Sequence, residues 1–347
     1  MSRGCAAAAL GWIGASAMAC GGASARGGGE SALQVEGAGD PADAPARQVE
    51  GAAAPGEGAP AKPAEVERPK GPMNRKEAQQ YLLALINRDR AAEGLPAVAW
   101  DETAARAALR HAEDMARHGF TGHWGTDGSV PEERYTAAGG EGLSMENAGC
   151  LGDAIARELD PDPRFTAASV ERVQSTFMAE KPPADGHRRN ILMASHTGVG
   201  LGLAKPKDLD IACMAQEFVD HYGSYEAIPK KAKVGDTLRV AGELRSPAKI
   251  AGVGLSRIEA PKPRKPKELL KMGGYPIPKP YATYFPKGYK TPIPLEVTGN
   301  TFQIRVPLSD GGRPGLYGVS VWATFPGSSE LRMVSLRTLY VEKTGAK

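Results

Sequence analysis

The stretch Gly186-His187-Arg188-Arg189-Asn190-Ile191-Leu192 sets an imidazole just after a glycine and just before a short apolar run. Three upstream segments have related character: Thr121-Gly122-His123-Trp124, Met145-Glu146-Asn147, and Glu180 at the end of an expected helix. Brought to one spot, His123, Glu146, Glu180 and His187 have two uses. They could hold a divalent cation. Neutral imidazole and carboxylate suit zinc, and the set lacks the roughly six to eight oxygens that calcium prefers. Alternatively they close a polar network, each Glu favouring the protonated form of its neighbouring His.

Hydrophobic periodicity gives the frame around these residues. Residues 76–92 place Ala78, Leu82, Leu85 and Ile86 on one helical face, and residues 102–117 do the same with Ala105, Leu109, Ala112 and Met115. Asp101 is the expected N-cap of the second helix, with Glu102 favouring the positive end of its dipole. Thr166–Glu180 repeats the pattern after the helix-breaking Asp160-Pro161-Asp162-Pro163. Residues 197–204 and Asp210–Val219 read as strands. Helices around a small sheet predict an α+β core, as a three-layer α-β-α sandwich.

Taken in order, the motifs resemble the CAP superfamily (cysteine-rich secretory proteins, antigen 5 and plant pathogenesis-related proteins; the SCP domain). The bacterial branch is the nearer match. The resemblance covers roughly residues 75–222. It runs from Leu85-Ile86-Asn87-Arg88-Asp89-Arg90 through Gly94-Leu95-Pro96, Trp100-Asp101, His111-Ala112-Glu113-Asp114-Met115-Ala116, His123, Asp127-Gly128, Pro131 to Arg134, and Glu146-Asn147. It ends in the 186–192 stretch, Gly198-Val199-Gly200-Leu201-Gly202 and Gln216-Glu217-Phe218. Phe177 stands where many relatives have Trp. Glu180 stands where bacterial relatives often have Ser, and Lys181–Asp185 is longer than in compact bacterial forms. The resemblance implies that the four residues share one cleft, with Asn147, Arg188 and Asn190 ordering its walls. It also implies a lipid or sterol-like ligand in a groove beside the cleft, for which no specific pattern is visible here. The family has no generally agreed activity, so catalysis stays open; an extracellular metal-dependent hydrolase, with metal-activated water and a Glu base, is the alternative to a binding module.

The N-terminal region points to export. Arg3 precedes a short apolar run, Ala6–Ala19, too short to span a membrane and suited to a signal peptide at 1–19. Ala17-Met18-Ala19 before Cys20 fits a small-x-small cleavage site and loosely resembles a lipobox, with Ala17 where Leu is usual. Cys20 is then the candidate lipidation site and the chain's only membrane attachment, with plain secretion as the alternative. Either an outer-membrane or cell-surface lipoprotein or a secreted protein is expected. Residues 20–72, rich in Ala, Gly, Pro and Glu, predict a disordered linker to a domain at 73–226. Cys5 leaves with the signal. Cys150 and Cys213 remain, an even pair that suggests a disulfide in an exported domain, two buried thiols being the alternative.

A second domain is expected at 228–345. Val234–Leu244, Ile250–Ile258, Thr301–Val306, Gly315–Ala323 and Arg332–Val341 read as short strands of an all-β, Ig-like sandwich. Pro261 to Pro294 form a Pro- and Lys-rich insert longer than an ordinary hairpin loop, of the kind that tends to be functional or mobile. The overall charge of +3 hides a division: residues 71–227 carry 16 Lys and Arg against 24 Asp and Glu, residues 228–347 carry 21 against 8. The basic half should attract anionic cell-surface polymers or dock on its acidic neighbour. No nucleic-acid partner is expected. Gly198-x-Gly200-x-Gly202 lacks the spacing of a dinucleotide fingerprint, and neither a G-x-S-x-G elbow nor an H-E-x-x-H motif occurs. His111 and Trp124 read as packing residues.

Overall fold

The computed structural model describes residues 65–344. The expected signal peptide, Cys20 and most of the expected linker lie outside them. The last linker residues lie inside: Val66 packs on the first core and Arg68 donates twice to Glu171, so the chain is already seated before residue 73.

Helix α1 (Arg75–Ala92) opens with a reciprocal cap, Asn74 and Glu77 each accepting from the other's backbone N–H. Strand β1 (Ala99–Trp100) leads into α2 (Glu102–His118). Asp101 caps α2 as expected, accepting from the Ala104 N–H at 2.7 Å, and Gly119 ends it at φ 64°, a conformation that glycine adopts without a Cβ clash. Next come α3 (Pro131–Ala137), β2 (Leu143–Gly149), α4 (Ala167–Met178), α5 (Gly186–Ile191), β3 (Gly198–Ala204) and β4 (Cys213–Asp220). The sheet order is β1-β3-β4-β2, with β1 parallel to β3 and the other pairs antiparallel.

Alternation along β3 builds the layers. Val199, Leu201 and Leu203 join α1, α4 and α5 in one apolar core. Gly198, Gly200 and Gly202 face the other way, and there the alanine-rich face of α2 closes on the strand. Helices therefore cover both faces of the sheet, the α-β-α sandwich that the periodicity predicts. Cys150 follows β2 and Cys213 opens β4, one position past the Gly149–Met214 pair, and the two form a disulfide with Cα atoms 4.3 Å apart.

The C-terminal half is a two-sheet β-sandwich. It comprises β5 (Gly223–Tyr225), β6 (Lys231–Lys233), β7 (Thr237–Leu244), β8 (Lys249–Ile258), α6 (Pro266–Leu269), β9 (Ala282–Tyr284), β10 (Glu296–Thr298), β11 (Thr301–Pro307), β12 (Gly315–Thr324) and β13 (Arg332–Glu342). The sheets run β10-β11-β7-β5 and β6-β13-β12-β8-β9 around one core that includes Val240, Leu255, Phe302, Ile304, Val319 and Val334. All five expected strands are present. The sequence reading missed β5, β6, β9 and β10, which at three residues each are too short to show a period.

The Pro- and Lys-rich insert at 261–294 is packed along its first part and does not stand free of the first domain. This strap folds back over the α-β-α unit. Leu269 is buried beside Phe120 and the disulfide, and Leu270 packs with it. The Arg264 N–H donates to the Thr126 carbonyl at 2.8 Å, and the Tyr275 hydroxyl donates to Glu132. Farther along the seam Tyr340 donates to Glu133, and Leu143 packs against Met333 and Leu336. Among the described residues no ion pair joins 73–222 to 228–344. The basic half docks through tyrosine, serine and backbone hydrogen bonds and apolar contacts, with Arg245 donating to the His221 carbonyl.

Candidate functional site

The cleft lies across β2, the edge strand of the first sheet, so consecutive side chains of Met145-Glu146-Asn147 supply opposite walls. On the α2 side, Glu146 is fully buried. Its Oε1 accepts from His123 Nδ1 at 3.0 Å and its Oε2 from Arg134 at 2.7 Å. Arg134, on α3, also donates to the carbonyls of His123 and Ser129, and so staples the whole 123–129 loop to the strand. His111 on α2 reaches the Gly122 carbonyl with Nε2 at 2.7 Å, and the same nitrogen lies 3.6 Å from Glu146. Behind Glu146, and directly opposite it in register, sits Glu217 of β4. Ser144 donates to Glu217 at 2.5 Å.

Burial governs the charges here. It raises Glu217 well above the ordinary carboxyl range, and the Glu146 carboxylate beside it pushes the same way. Glu217 as a neutral acid leaves one guanidinium facing one carboxylate, a balanced cluster. His123 is pushed down to about 3 by burial first, and then by His187 and Arg134. Its ring is therefore neutral over the ordinary pH range.

On the other wall, Glu180 follows α4 and receives the start of α5. Its carboxylate accepts from the backbone N–H of His187 at 2.9 Å and from His187 Nδ1 at 2.5 Å. Phe177 stacks on the His187 ring at 4.4 Å, so the residue that departs from the family pattern still supplies an aromatic face. Asn147 donates to the His187 carbonyl and to Gln216, and Asn190 donates to Asn147 and to the Met145 carbonyl. These two asparagines order the wall. Arg188 does not: its guanidinium turns outward to Glu93.

The two half-sites face each other with ring centroids 6.4 Å apart. Each carboxylate holds an Nδ1, and neither Nε2 has a hydrogen-bond partner among the described residues. The donor set is thus two imidazole nitrogens backed by two carboxylates, and no group of three or more His, Cys, Asp and Glu forms a closed metal shell among the described residues. An ion ligated at about 2 Å by both nitrogens would lie about 3 Å from each ring centre, so the 6.4 Å separation must close for the two rings to share a tetrahedral ion.

Residues 83–217 match the sequence profile of CAP, the Cysteine-rich secretory protein family. This part of the chain is a CAP domain. The four residues of the cleft and both cysteines fall inside the matched range. Among solved structures, the chain is similar to a Bacillus anthracis str. Ames extracellular protein containing an SCP domain. That likeness has 21% identity and a TM-score of 0.33, and covers 44% of this chain and 45% of that one. The match thus spans under half of the solved protein. No curated protein matches the chain. No described helix is long and apolar enough to cross a membrane.

Sequence reasoning placed His123, Glu146, Glu180 and His187 together but missed three residues behind them: Arg134, His111 as a neighbour of Glu146, and Glu217. One signal pointed to Glu217: with Gln216 it interrupts the apolar run of β4 between Ala215 and Phe218. Arg134 lies on a helix with no mark to separate a buried charge from a solvated one, and His111, read as a packing residue, gave no sign of its approach to Glu146.

Proposed function

We propose that the protein is an exported binding module. In this reading its CAP domain holds a divalent cation, zinc before calcium, between His123 and His187, and its basic β-sandwich engages anionic surfaces. One observation carries the metal part: both imidazoles are fixed at Nδ1 by a carboxylate, which leaves both Nε2 atoms without a partner among the described residues. A carboxylate behind a ligating imidazole sets its tautomer and raises its basicity. Glu146 and Glu180 would set the tautomers from behind, and burial keeps the His123 ring neutral to about pH 3, the form that ligates. A bound ion would supply positive charge at the cleft for an anionic or carbonyl-bearing ligand. The chain's own residues orient the two rings and exclude water on the Glu146 side.

Calorimetry with zinc on the full chain tests this. Wild type should bind near neutral pH and bind more weakly on acidification, and His187→Ala should abolish the signal. An absence of zinc binding by the wild type, with both His→Ala variants destabilising the fold, would instead establish a purely structural network. The Ala17-Met18-Ala19-Cys20 segment supports a lipid anchor. Cys20→Ala should then release protein that otherwise needs detergent for extraction, and a detergent-independent wild type with an unmodified Cys20 defeats that part.

A further inference from the structure

A groove of about 520 Å3 runs along the seam where the strap crosses the CAP domain. Its floor is aromatic and fixed. Trp124, next to His123, meets Tyr275 edge-on at 5.0 Å, and Tyr275 is tied through its hydroxyl to Glu132, which is 4% exposed. Pro276 and Pro278 add flat ring faces to one wall. The strap is seated closely: a Cβ on Gly128 would lie 2.3 Å from the Lys262 carbonyl oxygen. The groove is therefore built before any ligand arrives.

Its rim is cationic. Arg257 is engaged by Asp310 at 2.7 Å and Lys262 by Glu259 at 3.7 Å. Arg264 and Lys279, both exposed, have no carboxylate within ion-pair distance among the described residues. A flat apolar floor under two uncompensated cations suits a ligand with a flat apolar face and an anionic substituent. We infer that this groove binds a carboxylate-bearing sugar, as the repeating unit of an acidic polysaccharide. The C–H face of a pyranose packs on indole and pyrrolidine rings, while the carboxylate accepts from Arg264 and Lys279. An acyl chain would instead lay methylenes beside the cations. The inference narrows the anionic-surface reading of the β-sandwich to one place and does not depend on the metal.

The test is calorimetry at physiological ionic strength on the full chain, with an oligogalacturonate, a neutral malto-oligosaccharide of equal length, and an oligoglutamate of equal charge. The oligogalacturonate should bind, with the neutral sugar and the peptide at least tenfold weaker. Arg264→Gln/Lys279→Gln should weaken it at least tenfold, whereas Lys230→Gln/Lys231→Gln, outside the groove, should leave it unchanged. All four side chains are exposed, so folding is not at stake. Equal weakening by both double variants overturns the groove and leaves general charge attraction standing. Equal or tighter binding of the peptide assigns the site to acidic protein segments instead. Binding of no anion at all overturns both readings.

Discussion

Glu146 and Glu180 hold equivalent nitrogens of two histidines, yet their surroundings give them different weights. Glu146 is the partner of the buried Arg134, and an unpaired buried charge costs about 3–5 kcal/mol. Glu180 is partly exposed and caps a short helix. Urea unfolding should therefore show Glu146→Gln losing about 3 kcal/mol or more and Glu180→Gln about 1 kcal/mol or less. Equal losses would mean that Arg134 finds another partner, most directly Glu217. The site was legible to the same depth. His123, Glu146, Glu180 and His187 stand in recognisable local motifs, so they could be named from the chain. Arg134, His111 and Glu217 act through contacts between elements: the chain marks His111 as a packing residue and Glu217 as a polar break in a strand, but not that either meets Glu146, and Arg188 reads like a wall residue while its guanidinium leaves the cleft.

The contact between β3 and α2 is set by glycine spacing. A Cβ on Gly202 would lie 2.2 Å from the backbone of Ala108, and one on Gly200 would lie 1.9 Å from the Ala105 nitrogen. Backbone on both sides leaves no side chain to move aside. Gly202→Ala should thus destabilise by about 2–3 kcal/mol, read as a lower urea midpoint with an unchanged slope, whereas Gly273→Ala, with open space around it, should change little. A neutral Gly202→Ala would show that the layers can spread. Elements of this kind were the most legible part of the fold. α1, α2, α4 and β3 carry long periodic patterns, and the glycine alternation of β3 was visible. β2 was not read as a strand, because its mixture Ser144, Glu146 and Asn147 reflects service to the cleft rather than an apolar face. α3 and α5, at seven and six residues, give too few turns for a period to register.

Across the whole molecule, the seam between the two halves places a carboxyl where water cannot reach it. Burial raises Glu132 from 4.5 to about 7, a shift only partly opposed by the Tyr275 hydroxyl. Between those values the folded chain holds more protons than the unfolded one, so on Glu132's account stability falls as pH rises from 4.5 through 7. Its contribution is fully present below 4.5. Glu132→Gln keeps an oxygen for Tyr275 and removes the titration. Melting curves of wild type and variant should therefore diverge across that window, with the variant relatively better at pH 8 than at pH 4.5. Parallel curves would place the proton elsewhere. The domain order and the charge division were legible, but the seam was not, because the strap reads as a Pro-rich loop until its leucines are seen under the CAP domain. That arrangement bears on the order of assembly. Chains emerge from the ribosome N-terminus first, and Leu269 lies 56 residues beyond Cys213. The helices of the first domain therefore leave the ribosome before the leucines that seal the flank around Phe120. During that interval the uncovered flank is where a chaperone, or a neighbouring nascent chain, would first take hold.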